Sequence, residues 1–99
     1  MAEVIWTEPA IDQLNNIAEY IALDRPLVAS EVVQKIFDIT ELFENFERLG
    51  RPVPEVDHPD YHQIWVKPCM VYYRVSPDSV YILHIRRGEQ MFDAAMLFN

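Results

Sequence analysis

The run Gly50-Arg51-Pro52-Val53-Pro54-Glu55 divides the chain into two kinds of pattern. Each proline lacks a backbone N–H and pushes the residue before it toward extended geometry, so no helix crosses this run. Ahead of it, apolar residues recur at the three-to-four spacing of a helix. Behind it they alternate in steps of two. Amphipathic helices followed by amphipathic strands bury their apolar sides together as layers, helices laid against a sheet.

Glu3-Val4-Ile5-Trp6 is a short strand candidate, because β-branched and aromatic side chains fit a pleated surface. Thr7 then stands where a helix cap belongs, with Pro9 and Ala10 in the first turn. Ile11, Leu14, Ile17, Ala18, Ile21 and Ala22 make the buried stripe of that helix. Asp24-Arg25-Pro26 ends it and opens a second helix, expected from Pro26 to Glu47. The second stripe is Ala29, Val32, Val33, Ile36, Ile39, Phe43 and Phe46, opposite an acidic face of Glu31, Asp38, Glu41, Glu44 and Glu47. The two helices form an αα-hairpin, and Gly50 sits where a C-terminal glycine stop is expected.

Three strands are expected after the proline run: Tyr61 to Val66, Met70 to Val75, and Val80 to Arg86 with Leu83 pointing inward. Ser76-Pro77-Asp78-Ser79 joins the last two as a hairpin. The sequence thus predicts an α+β fold of order β-α-α-β-β-β, with the helical hairpin packed on one face of a small, mainly antiparallel sheet. Residues 1–99 are expected to be a single domain. The tail after Gly88 carries Met91, Phe92, Met96 and Phe98. Either it docks on its own sheet or another chain covers it.

Charge divides the chain near the same place. Residues 1–47 hold ten acids and two bases and carry the whole net charge of −8. Residues 48–99 balance six of each, and their bases are interleaved with Tyr61, Trp65, Tyr72, Tyr73 and Tyr81. Such asymmetry bears on partners rather than on fold, and an acidic chain is not a general nucleic-acid binder. No apolar run approaches the roughly 20 residues that span a bilayer, so no membrane role is expected. Cys69 has no second cysteine to pair with, which fits a reducing cytoplasmic location. His58, His62 and His84 lie too far apart to form a metal-ligand motif, so neither a metal nor a cofactor is expected.

The order of elements and several motifs resemble the ParE/RelE superfamily of toxins from type II toxin–antitoxin pairs. The similar segments are Trp6-Thr7-Glu8-Pro9-Ala10 with Asp12-Gln13-Leu14, the helix junction Ile17–Ala22 with Asp24 and Pro26, and the Gly50–Glu55 loop. Val71–Val75 and Val80–Gly88 complete the set. The junction and the loop look most like the ParE branch. The resemblance implies a toxin neutralised by a cognate antitoxin. ParE-like members inhibit DNA gyrase by protein contact; RelE-like members cleave messenger RNA on the ribosome.

Metal-free RNA cleavage needs a base, an acid and cations around the developing phosphorane charge. Met70 stands where RelE-like enzymes carry an arginine, and Glu89, Gln90, Met91 and Phe92 stand where they carry further basic or aromatic groups. A gyrase inhibitor rather than a catalyst is therefore expected, with no catalytic residues. Arginine and aromatic side chains are the usual anchors of protein interfaces. Arg51, Trp65, Tyr72, Arg74, His84, Arg86 and Arg87 are the candidate target- or antitoxin-binding residues. His62-Gln63 replaces an Arg-Glu pair that family members often carry in the second strand. The expected partners are an antitoxin and gyrase, with a homodimer or toxin–antitoxin hetero-oligomer as the assembly and no direct sequence-specific nucleic-acid contact. The alternatives are a ribosome-dependent endoribonuclease, and a non-toxic family member that acts as a co-regulator with its antitoxin.

Overall fold

The computed structural model describes residues 1–98. The chain runs β1 (Glu3–Trp6), α1 (Glu8–Ala22), α2 (Pro26–Glu41), a 3-10 turn (Leu42–Glu44), β2 (Arg51–Pro52), β3 (Tyr61–Val66), β4 (Cys69–Val75), β5 (Ser79–Arg87) and a closing 3-10 helix (Ala94–Phe98). This is the expected α+β order, with the two-residue β2 added inside the proline run. The five strands form one sheet in the order β1-β5-β4-β3-β2. Only the β1–β5 pair is parallel; the others are antiparallel.

Both helices lie on one sheet face. Ala10, Leu14 and Ile17 of α1, with Val32 and Ile36 of α2 and then Phe43, meet Val71, Tyr73, Val75, Val80, Ile82 and Ile85 of the sheet. Burial of each large apolar side chain contributes about 1.5–3 kcal/mol, so this layer holds the molecule together. Burial also pushes the Cys69 thiol up to about 11, with Glu89 adding to the shift and Arg87 opposing it, so the group remains an uncharged thiol.

The helical hairpin differs from the sequence reading in four places. α2 ends at Glu41, six residues early, because the 3-10 turn tucks Phe43 under the sheet and stacks it on Tyr73 at 4.1 Å. The same turn lets Glu44 O accept from Ala2 N at 2.9 Å, and Phe46 is left 61% exposed. Ile11, placed in the buried stripe, lies at its margin and is 44% exposed. The Thr7 hydroxyl does not cap α1; it donates to Ile82 O at 2.6 Å and ties the helix start to the sheet. Gly50 is not a left-handed helix stop. Its role is close approach, since a Cβ there would lie 2.4 Å from Gln63 O, and its N–H donates to the Tyr73 hydroxyl at 2.8 Å.

β5 contains an irregularity that redirects its far end. Tyr72 pairs with His84, but Tyr73 pairs with Ile82, which leaves Leu83 as an extra residue. Such a bulge reverses the alternation beyond it. Val80 and Ile82 face the helices, and so does Ile85. Leu83 turns to the other face, half-buried, so Ile82 rather than Leu83 is the deepest side chain here.

The tail settles on its own chain, on the sheet face away from the helices. Phe92 stacks on Tyr72 with ring centroids 4.2 Å apart and planes 4° apart. Leu97 is buried with Val53 and Tyr72. This second, smaller apolar cluster is separate from the main core. Met91 and Phe98 remain largely exposed.

Candidate functional site

Strand register places six of the seven candidate residues on the face away from the helices, because paired residues project to the same side of a sheet. Arg51 pairs with Gln63, Gln63 with Tyr72, and Tyr72 with His84. Trp65 pairs with Met70, and Met70 with Arg86. Arg74 pairs with Tyr61 and Tyr81. Arg87 faces the other way, its guanidinium 3.9 Å over the Tyr20 ring of α1 and in an ion pair with Glu89.

The tail then divides those six. Tyr72, His84 and Arg86 lie beneath it, with Arg86 hydrogen-bonded to Tyr72 and the His84 ring against the Tyr72 ring. Tyr72 is 1% exposed, so its ring is core rather than contact surface. Arg86 Nε donates to the Tyr72 hydroxyl at 2.9 Å. Arg86 Nη1 donates to Gly88 O at 3.0 Å and to Arg87 O and Gln90 O at 3.4 Å. The guanidinium also lies 5.6 Å from the Phe92 ring centroid. Burial raises the Tyr72 hydroxyl pKa above its ordinary value, opposed by the Arg86 bond.

His84 is 8% exposed and sits beside the stacked Tyr72–Phe92 pair, 5.8 and 5.7 Å from the two ring centroids. Its Nδ1 meets Gln13 Nε2 at 2.9 Å, while Gln13 Oε1 accepts from Ile85 N at 2.8 Å. A backbone N–H can only donate, so the Gln13 amide has one possible orientation. Its NH2 group must donate to His84, and Nδ1 is therefore the unprotonated nitrogen. Burial lowers the His84 pKa, and the nearby Arg86 charge lowers it further.

Arg51, Trp65 and Arg74 lie around the tail rather than under it. Arg51 and Trp65 share an edge cavity of about 370 Å³ with Leu49, Gln63 and Met70, where Trp65 is 51% exposed. The Arg74 guanidinium rests 4.7 Å from the Tyr81 centroid, near the β4–β5 turn. Sequence reasoning missed Gln13, whose polar side chain on α1 gives no hint that it reaches β5. It also missed Gln90, whose Oε1 accepts from Arg87 N at 2.7 Å.

No curated protein matches the chain. Among solved structures, it is similar to the chromosomal ParDE TA system from P. aeruginosa, at 24% identity over 90% of this chain and 98% of that one, with a TM-score of 0.75. It is also similar to the YoeB dimer from Staphylococcus aureus, at 12% identity over 84% and 92% of the two chains and a TM-score of 0.59. The conserved hypothetical protein HP0894 from Helicobacter pylori matches at 13% identity over 93% and 100%, with a TM-score of 0.60. Likeness at such identities concerns the fold. The family model for the ParE toxin of type II toxin–antitoxin systems matches residues 4–92, so the chain belongs to the ParE toxin family.

Proposed function

We propose that this ParE-type toxin blocks a type II topoisomerase, DNA gyrase, by protein–protein contact, and that a cognate antitoxin neutralises it in the cytoplasm. One observation carries the choice of mechanism. The groups beneath the tail with acid, base or charge-stabilising capacity are already engaged within the chain: Arg86 on three carbonyls and Tyr72, and His84 on Gln13. Phe92 covers them. A trapping inhibitor needs no free acid–base pair; it needs an anchored surface. Arg51, Trp65 and Arg74, left accessible around the tail, are the contact residues in this reading, with Arg87 at the helix side. The antitoxin binds the neutral half that holds these bases, and the toxin acts as one unit over residues 1–99.

The convergence of Tyr72, His84 and Arg86 favours one second reading, a RelE-like ribonuclease exposed when the tail lifts. The test is a supercoiling assay with purified gyrase beside a ribosome-bound mRNA cleavage assay. Inhibited supercoiling or trapped cleaved DNA, with intact mRNA, is expected. Cleaved mRNA with unaffected gyrase would establish the nuclease. Silence of a folded sample in both would favour the non-toxic co-regulator.

Within the inhibitor reading, Arg51→Ala combined with Trp65→Ala is expected to weaken gyrase inhibition at least about tenfold, the loss typical of one hot-spot residue. Thermal unfolding should stay close to wild type. Undiminished inhibition would remove this edge from the contact surface.

A further inference from the structure

Beyond Ile82, β5 has lost its β1 neighbour, and α1 lies against the gap. A cavity of about 250 Å³ remains there. That is below the roughly 300–1,000 Å³ of sites for drug-sized molecules, so it suits a smaller ligand. Asn16, Ile17 and Tyr20 of α1 line it together with Ile85 and Arg87 of β5 and Gln90 of the tail.

Arg87 is the cation of this cavity, and most of its donors are unused. Its guanidinium is held over the Tyr20 ring, and Nη1 donates to Glu89. Among the described residues, Nη2 has no acceptor, and Nε is buried with none. Buried donors are rarely left unpaired. Nε and Nη2 share one edge of the planar group, the fork that a carboxylate fills with two parallel hydrogen bonds. Glu89 takes the remaining nitrogen and leaves that edge open.

Gln90 adds a donor. Its Oε1 accepts from Arg87 N, and its own N–H donates to Arg87 O at 3.0 Å. A backbone N–H can only donate, so the amide is oriented with Oε1 on the strand and Nε2 left over. The exposed Asn16 amide makes no hydrogen bond among the described residues either. Gln13, which also borders the cavity, is spent, because both ends of its amide already hold β5. The cavity thus combines an arginine edge and amide donors with the apolar surface of Ile17, Ile85 and the Tyr20 ring. The Glu89 carboxylate repels any second negative charge on a ligand.

We propose that this cavity binds a small monocarboxylate with a short branched apolar body, its carboxylate on the Nε–Nη2 edge of Arg87. A free acid and the last residue of a peptide both offer this chemistry. The inference stands apart from the choice of toxin target, and its test involves neither gyrase nor ribosome.

The probe is isovalerate, titrated into the full chain while amide and arginine Nε–H resonances are followed by NMR. Saturable one-to-one binding is expected, with shifts at Asn16, Ile85, Gln90 and the Arg87 Nε–H itself. Isovaleramide, succinate and inorganic phosphate should each bind at least about tenfold more weakly, since the amide lacks the charge and the others carry too much. N-acetyl-leucinate carries the same branched body on a peptide backbone. If it binds more tightly than isovalerate, the site takes a chain end; if more weakly, a free acid. Arg87→Lys keeps the charge but removes the fork, and it should weaken isovalerate binding at least about tenfold. Asn16→Asp places a negative charge at an exposed position of the cavity and should weaken binding several-fold with thermal unfolding close to wild type. Glu89→Gln should tighten isovalerate and narrow the gap to succinate. Absence of saturable binding, equal binding of the amide or of phosphate, a shift map away from the cavity, or full binding by a folded Arg87→Lys would overturn the proposal.

Discussion

Gln13 does the work of a missing strand residue. β1 ends at Trp6, so the outer edge of β5 beyond Ile82 has no neighbouring strand. The Gln13 amide satisfies Ile85 N and fixes His84 as a neutral acceptor. Protonation of Nδ1 would set two donors against each other beside Arg86. The folded-state pKa lies below the ordinary 6.5, so the unfolded chain binds the proton more readily. Stability from this group is complete above pH 6.5 and declines as pH falls below it toward the folded value. Denaturant midpoints across that window should fall in the wild type and fall less in His84→Gln; equal slopes would refute this role.

The two glycines differ at this scale. A Cβ on Gly50 meets the Gln63 carbonyl at 2.4 Å, which is backbone and cannot move alone. Gly50→Ala should cost about 2–3 kcal/mol by chemical denaturation, within the range for steric strain in a packed region. On Gly88 a Cβ meets the Trp65 ring at 2.6 Å, and that ring is half exposed and can swing away. Gly88→Ala should cost less than Gly50→Ala while shifting Trp65 fluorescence.

Among the elements, the tail is the one whose attachment can be taken apart. Phe92, Leu97 and the carbonyls captured by Arg86 hold it to the sheet. Leu97→Ala should destabilise by about 2–3 kcal/mol, as for other buried leucines. Arg86→Lys keeps the charge but loses the planar fork that reaches Tyr72 and the carbonyls together, and it should cost about 1–2 kcal/mol. Both variants should raise hydrogen exchange in residues 88–98 and leave β4 protected. Faster exchange throughout the sheet would mean that the tail and the main core form one cooperative unit.

At the scale of the whole molecule, the charge division becomes a division of surfaces. The acidic half forms the helical layer, and three of the bases, Arg51, Arg74 and Arg86, lie on the opposite sheet face. No helix is long and apolar enough to cross a membrane among the described residues. The fold order, the break at Gly50–Glu55 and the β3, β4 and β5 strands were legible in the sequence to within a residue or so, because local sterics and periodicity set them. The end of α2 was not, because Phe43 and Phe46 continue a helical spacing that only the Phe43–Tyr73 stack interrupts.

The candidate residues show the same boundary. Their types and strands were readable, and pairing within β3 and β4 follows simple alternation. What the sequence by itself determined is the succession of amphipathic elements, since a side-chain period of 3.6 or 2 is set within each segment. Only the tertiary structure decided which way residues 83–87 face. Without the extra Leu83, strict alternation from Ile82 would send His84 and Arg86 toward the helices and Arg87 to the tail. The bulge exchanges them, and β4, Gln13 and the tail then hold that stretch from different sides.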